Sequence, residues 1–403
     1  MEHNYLKISD IGKVITGKTP STEDASNFDG KYPFITPSDI KTYSEKYLLD
    51  TERTLSDLGA DTLKGNILPK NTICFVCIGS TIGKMCMTNC ESFTNQQINS
   101  LIPFPEYDSS FIFYILRYVK SYFQSIGGGT GSGKGIVNKT VFSKTKLDIP
   151  FNLETQKIIA EILSSYDSLI ELNTKRIKTL EQMTENLYKE WFVRFRFPGH
   201  ENAEFENGIP KGWEVKRLED FCYVTDGTHD TPSPTSDGFP LITGKHISDG
   251  DINFDEAYLI SEEDHKKISK RSGLASGDIL FSNIGTVGKC CIVNYDREFS
   301  VKNVIIFKLS KMYKSLFLYH ALNSSSMQEL FQAQTNGASQ QFVGLTFMRR
   351  FKLLIPPESI LQCFYNKISD TYTLETSLKR LNKNLIKQRD LLLPRLMSGK
   401  LEV

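Results

Sequence analysis

A chain that carries one plan twice is constrained to fold into two like units, and this sequence is such a chain. Tyr5-Leu6-Lys7-Ile8-Ser9-Asp10-Ile11 returns as Trp213-Glu214-Val215-Lys216-Arg217-Leu218-Glu219-Asp220-Phe221, with Gly17 matching Gly227. Ile35-Thr36 returns as Ile242-Thr243, Gly83-Lys84 as Gly288-Lys289, Phe93 as Phe299, and Leu147-Asp148-Ile149-Pro150 as Leu353-Leu354-Ile355-Pro356. The separation stays between 205 and 210 residues throughout. Loop insertions give a tandem duplication this small drift, whereas chance matches scatter.

Each copy opens with a β-rich front. Ile73–Ile78 and Asn303–Phe307 read as buried strands by length and β-branched content. Phe111–Tyr122 and Ser315–Phe331 read as helices, because apolar residues recur at three and four without Gly or Pro. The front is therefore α+β. After each Ile-Pro the period becomes helical, predicting two long helices. Ile159, Ile162, Tyr166, Leu169, Asn173, Ile177, Leu180, Thr184, Leu187 and Trp191 form one seam, and Leu374, Leu378, Leu381, Leu385, Gln388 and Leu392 the other. A helix of about 40 residues is roughly 60 Å long and needs a partner. The Pro/Gly stretch from Phe197 to Gly212 lets the chain turn back, so the two helices are predicted to pair as an antiparallel coiled coil with pseudo-two-fold symmetry. The resulting plan is a domain over 1–150, a long helix over 151–197, a linker over 198–212, a second domain over 213–356 and a second long helix over 357–403.

Composition limits the partners. Lys and Arg (48) nearly balance Asp and Glu (47), so the net charge of +1 gives no whole-molecule field toward nucleic acid or membrane. Any nucleic-acid site must be a local patch. No apolar run approaches the ~18 residues a spanning helix needs. The opening Met1-Glu2-His3-Asn4 carries no basic-then-apolar leader, which predicts a cytoplasmic protein without a membrane partner. Eight Cys are too sparse for a disulfide scaffold.

Several motifs suggest chemistry that their context withdraws. Gly128–Lys134 nearly spells a phosphate loop, but Gly135 stands where Ser or Thr must hold magnesium. The second copy, Thr335–Gln341, loses the Gly-Lys. Cys74, Cys77, Cys86 and Cys90 have zinc-like spacing, yet residues three apart on a strand point to opposite faces. Ile355-Pro356-Pro357-Glu358 lacks the flanking residues of an amino-methyltransferase tetrapeptide. Asp264-His265-Lys266 lies in a charged run that reads as a solvated face. The sequence offers no complete catalytic or metal constellation.

Over essentially its whole length the chain resembles the specificity subunits of type I restriction-modification enzymes. The resemblance rests on the two domain openings, Asp226-Gly227-Thr228-His229-Asp230-Thr231-Pro232, Gly79–Lys84 and Ile284–Lys289. It rests equally on Gln156–Leu163, Glu190-Trp191-Phe192-Val193 and the ending Arg389–Leu401. Thr16-Gly17-Lys18-Thr19-Pro20 is an abbreviated form of the Gly-Thr-His loop. The resemblance implies that each α+β domain recognises half of a split double-stranded DNA sequence, while the helices set the gap and dock two modification subunits. It implies no cofactor in this chain. S-adenosylmethionine, ATP and Mg would serve the modification subunits and the restriction or motor subunits.

Within that expectation the phosphate candidates are Lys84, Lys289, Lys144, Lys146, Arg350 and Lys352, the first two beside turn glycines whose backbone N–H groups could face an anion. The base-reading candidates are Lys18, Asn95, Gln96 and Gln97 in one copy, and His229, Lys245, His246, Lys302 and Asn303 in the other. Trp191 and Phe192 are candidate anchors for a modification subunit. A coiled-coil adaptor bridging proteins, a related modification-only or fused restriction system, and a self-sufficient methyltransferase are the other readings.

Overall fold

The computed structural model describes residues 3–40, 46–48, 50–128, 135–150, 152–248, 250–335 and 342–401. The chain divides into two compact units, one formed by 1–177 with 377–403 and the other by 178–376. The division therefore runs through both long helices rather than at their ends.

The first unit is built on a four-stranded antiparallel sheet, in the order Gly12–Thr16, Ile98–Pro103, Ile73–Val76, Met85–Met87. Beside it Phe28–Ile35 pairs antiparallel with Arg53–Leu55 and parallel with Phe93–Thr94. A third ladder joins His3–Lys7 to Lys146–Pro150. The second unit repeats this plan with Tyr223–Asp226, Val304–Lys308, Ile279–Ser282 and Cys290–Ile292 in the sheet. Phe239–Ile242 lies between Leu259–Ile260 and the parallel Ser300–Val301, and Glu214–Arg217 pairs with Lys352–Ile355. Both units are thus α+β with one topology.

Strand alternation divides each sheet's side chains between two cores. Ile73, Phe75 and Cys77 enter one cluster, with Phe75 packed at 4.9 Å from Phe123 and 5.1 Å from Phe142, while Cys74, Val76 and Cys86 enter another. Cys74 and Cys77 consequently face away from each other. The single helices expected over 111–122 and 315–331 are each two. Ser109–Tyr118, capped by Asp108 on the Phe111 amide at 2.8 Å, is followed by Lys120–Gly127. Met312–Asn323 is followed by Ser325–Thr335, with Ser324 extended between them.

The central helix runs over Leu153–Tyr188 and continues as a π-helical turn over Lys189–Val193. Asn152 opens it by accepting the Glu154 amide at 2.8 Å. The last helix, Glu358–Met397, ends at Gly399, whose φ of 67° suits a helix-terminating glycine. In the first unit the two helices run antiparallel. Asn173 Nδ2 donates to Asn382 Oδ1 at 2.9 Å, and further back along the central helix Asp167 pairs with Arg389.

The seam differs in phase from the leucine count. Ile159, Ile177, Leu378 and Leu385 are buried, and Ile162, Leu180, Leu187 and Leu392 are half-buried. Leu169, Leu374 and Leu381 are about half exposed and do not pack in it. Glu375, beside Leu374, is buried, and Asn382, beside Leu381, is half-buried; Arg389 is buried too, as are Asp167, Asn173 and Thr184 on the central helix. Asn382 and Arg389 find polar partners across the pair in Asn173 and Asp167.

Trp191 and Phe192 are also corrected. They are 5% and 7% exposed, and Phe192 lies 4.8 Å from Phe364, 5.0 Å from Phe317 and 6.0 Å from Trp213. Both rings fill the second unit's own core, so neither is free to anchor a partner.

Candidate nucleic-acid interface

The register of each sheet decides which loops meet. In the first unit Thr16, at the end of its strand, is level with Asn99, and Val76, at the end of another, pairs with Ile98. The loops that follow Thr16 and Val76 and the loop that precedes Ile98 therefore share one end of the sheet. Asp226, Ser282 and Val304 bring the equivalent loops together in the second unit.

Glycine makes the close approach possible. A Cβ on Gly17 would stand 2.2 Å from the Thr94 carbonyl oxygen, and one on Gly227 would stand 2.2 Å from that of Val301. The first loop of each unit thereby lies against the Asn95–Gln97 or Lys302–Asn303 segment. In the first unit Thr19 Oγ1 donates to Gln96 Oε1 at 2.8 Å, and the Gln97 amide donates to Asn95 Oδ1 at 3.0 Å. In the second, His229 stands 2.9 Å from the Asn303 side chain and Lys302 donates to Thr231 Oγ1. Lys18, Asn95, Gln96 and Gln97 are so gathered in one unit, and His229, Lys302 and Asn303 in the other.

Lys245 is exposed at the same end, in the turn that follows Phe239–Ile242. His246 is not available there. It is 1% exposed, and its Nδ1 accepts the Thr243 amide at 2.9 Å, capping that turn from within. Burial, and then the Lys245 charge, lowers its pKa. Its reading as a base contact is withdrawn.

Lys84 and Lys289 follow Gly83 and Gly288, whose φ values are 88° and 95°. Three of the turn amides are spent inside the protein: Gly83 N donates to the Val76 carbonyl, Lys84 N to Thr81 and Gly288 N to Ser282. Lys144, Lys146, Arg350 and Lys352 lie elsewhere. Lys146 pairs with Lys7, and the neighbouring Thr145 carbonyl accepts the Ile8 amide, beyond the Gly12 end of the sheet. Lys352 opposite Arg217 repeats this arrangement.

The sequence reading missed the helix Glu262–Ser272 as part of this region. Its last turn brings Arg271 Nη2 to Asp226 Oδ1 at 2.5 Å, and an open cleft of about 670 Å3 lies between it and the loop, with Thr228, Asp230, Thr231, Lys267 and Arg271 among its lining. The charged run Glu262–Lys267 hides its inward residue, since His265 is buried against Phe239, with ring centroids 4.0 Å apart. Among the described residues no His, Cys, Asp and Glu group gathers in a metal-binding arrangement, and no helix is long and apolar enough to cross a membrane. The glycine-rich segment 129–134 and its counterpart 336–341 lie outside the described residues.

The type I restriction modification DNA specificity domain matches this chain twice, over residues 2–182 and 210–388. The chain belongs to the family of type I restriction-modification specificity subunits. This specificity subunit is 28% identical to the MjaIX specificity subunit of Methanocaldococcus jannaschii, over 98% of its own length and 93% of the relative's. It is 32% identical to the HindI specificity subunit of Haemophilus influenzae over 44% of its length and 36% of the relative's. Its fold is similar to that of the type I restriction-modification S subunit from M. genitalium, with a TM-score of 0.58 at 14% identity, covering 98% of this chain and 95% of that one. Each matched domain contains one of the two loop-bearing sheets, so the sheet ends described above belong to DNA specificity domains.

Proposed function

We propose that each unit of this specificity subunit reads one half of a split DNA sequence, that the long helices set the gap and dock two modification subunits, and that the chain performs no chemistry itself. The supporting observation is a division of labour within the repeat. Both units present the same loops at the same sheet end, while the side chains there differ: Lys18 and Asn95–Gln97 in one, His229 and Lys302–Asn303 in the other. A shared scaffold with different tips suits two different half-sites, because base edges are told apart by the donors and acceptors set against them. Lys84 and Lys289 would hold the backbone at neighbouring positions. Methyl transfer from S-adenosylmethionine to adenine would belong to the modification subunits, and ATP- and Mg-dependent cleavage to restriction or motor subunits, all in the cytoplasm.

Exchange of residues 213–355 for the matching domain of a relative tests this. Single-molecule sequencing of methylated adenines in cells should then show one half-site rewritten and the other kept. A change in both half-sites would refute two independent readers. Absence of sequence-selective DNA binding would instead favour an adaptor that bridges proteins.

A further inference from the structure

One helix differs between the two units in length and charge. It follows Arg53–Leu55 in the first and Leu259–Ile260 in the second, and in both a serine opens it: Ser56 accepts the Gly59 amide and Ser261 the Asp264 amide, each at 3.1 Å. In the first unit this helix, Asp57–Thr62, has six residues, with Asp57 and Asp61 and neither Lys nor Arg. In the second it is Glu262–Ser272, with eleven residues, and its second half carries Lys267, Lys270 and Arg271. Lys267 and Arg271 stand one turn apart on the face that lines the cleft against the loop Thr228–Ser233. Like charges at that spacing oppose the helix that carries them.

Arg271 is held in place. Asp226, buried at the base of the loop, accepts from its Nη2 at 2.5 Å, which uses one amino group and leaves the side chain 56% exposed. Lys267 is exposed on the turn before it. The loop opposite supplies hydroxyls. Thr228 Oγ1 accepts the Asp230 amide at 3.1 Å, and Thr231 Oγ1 accepts from Lys302 Nζ. Each hydroxyl keeps its own proton to donate, and neither proton meets an acceptor among the described residues. Thr228 is 8% exposed, and a buried donor left without an acceptor costs stability. Of the carboxylates in the lining, Asp264 is engaged by Ser261 Oγ at 2.8 Å, and Asp230 is exposed. Two cations and two hydroxyl donors thus face one open space, an arrangement that suits an oxyanion.

We propose that this cleft takes a phosphate of the DNA backbone beside the half-site of the second unit, Lys267 and Arg271 supplying the charge and the Thr228 and Thr231 hydroxyls donating to its oxygens. The proposal rests on the reading of the chain as a DNA-recognition subunit, and gives its second unit a hold on the backbone that the acidic helix of the first does not offer. DNA is favoured over a free phosphate because the wall of the cleft is the same loop that carries His229, so a strand held there passes beside the base-reading side chains.

The test uses the full chain with its modification subunits and duplexes carrying its own split motif, the motif being read by sequencing methylated adenines in cells. Lys267→Ala should lower the slope of log affinity against log salt by about 0.9, so between about 50 and 200 mM salt the parent should lose roughly threefold more affinity than the variant. Specific and unrelated duplexes should weaken alike, and the methylated motif should keep its sequence. Lys267→Arg should restore the slope. Uncharged methylphosphonate linkages placed one at a time should reveal a position beside the second half-site that weakens the parent more than Lys267→Ala. Inorganic phosphate at matched ionic strength should leave DNA binding unchanged; if it displaced DNA from the parent and not from Lys267→Ala, the cleft would belong to a free anion. An unaltered slope, a changed base in the methylated motif, or equal methylphosphonate effects in both proteins would overturn the site while the parent still binds its motif. A parent that selects no split motif would overturn the underlying reading, and the site with it.

Discussion

Arg389 of the last helix and Asp167 of the central helix form an ion pair inside the first unit, with side chains 1% and 7% exposed. Tyr114 donates to the second oxygen of Asp167 at 2.5 Å, and Arg117, itself buried, reaches Asp390 at 3.2 Å. Removing one partner strands a buried charge. Arg389→Ala should therefore destabilise the first unit by about 3–5 kcal/mol, whereas Asp167→Leu with Arg389→Met should recover most of that loss. Chemical denaturation of the three proteins measures both, and equal stability of the single and double variants would remove the pair from the account.

Phe192 gives the contrasting case of an apolar group. Phe192→Ala opens a cavity among Phe317, Phe364 and Trp213, and should cost about 3–5 kcal/mol in the chain alone, with no partner present. Thermal unfolding of the isolated chain checks it, an unchanged midpoint being the adverse result.

Salt dependence separates the lysines. If Lys84 and Lys289 each neutralise one phosphate, replacing either with Ala should lower the slope of log affinity against log salt by about 0.9, uniformly across DNA sequences. Lys144→Ala and Lys146→Ala, at the far end of the sheet, should leave the slope as it was. Titrations between low and moderate salt give these slopes directly.

Acid sensitivity should arise at His320. Burial pushes its imidazole down to about 4, with Glu185 opposing, while Tyr188 stacks beside it at 6.1 Å. A folded value below the unfolded one, about 6.5, means that the unfolded chain binds the extra proton between these limits. Stability should thus be full above pH 6.5 and fall as pH drops toward 4, by at most about 3 kcal/mol. His320→Phe should flatten the curve in that window. A variant with the same acid dependence as the parent would assign it to other groups.

The repeat, the α+β halves and the long helices were legible because duplication and apolar period are properties of sequence alone. The phase of the helix seam was not. Leu381 outranks Asn382 on any apolar scale, and the Asn173 side chain across the pair explains why Asn382 rather than Leu381 turns inward. Trp191 and Phe192 looked like anchors for the same reason that they make good core, their large aromatic area. Arg271 escaped notice because a charged helix reads as solvated surface until the Asp226 carboxylate appears beside its last turn. His246 shows the converse, a polar loop residue turned inward to cap its own turn.

The way the units divide the chain also sets an order of completion during synthesis. The second unit is one continuous stretch, 178–376, and can close as soon as that stretch has left the ribosome. The first unit needs Leu393, Leu396 and Met397, which lie in its core with Ile159 and Leu163. Those residues are made some 220 positions after residue 177, a delay of roughly 10 to 45 s at about 5–20 residues per second. The half of the protein that is translated first is therefore the half that finishes last, and until it does, the apolar groove awaiting those three side chains is open to any chaperone within reach.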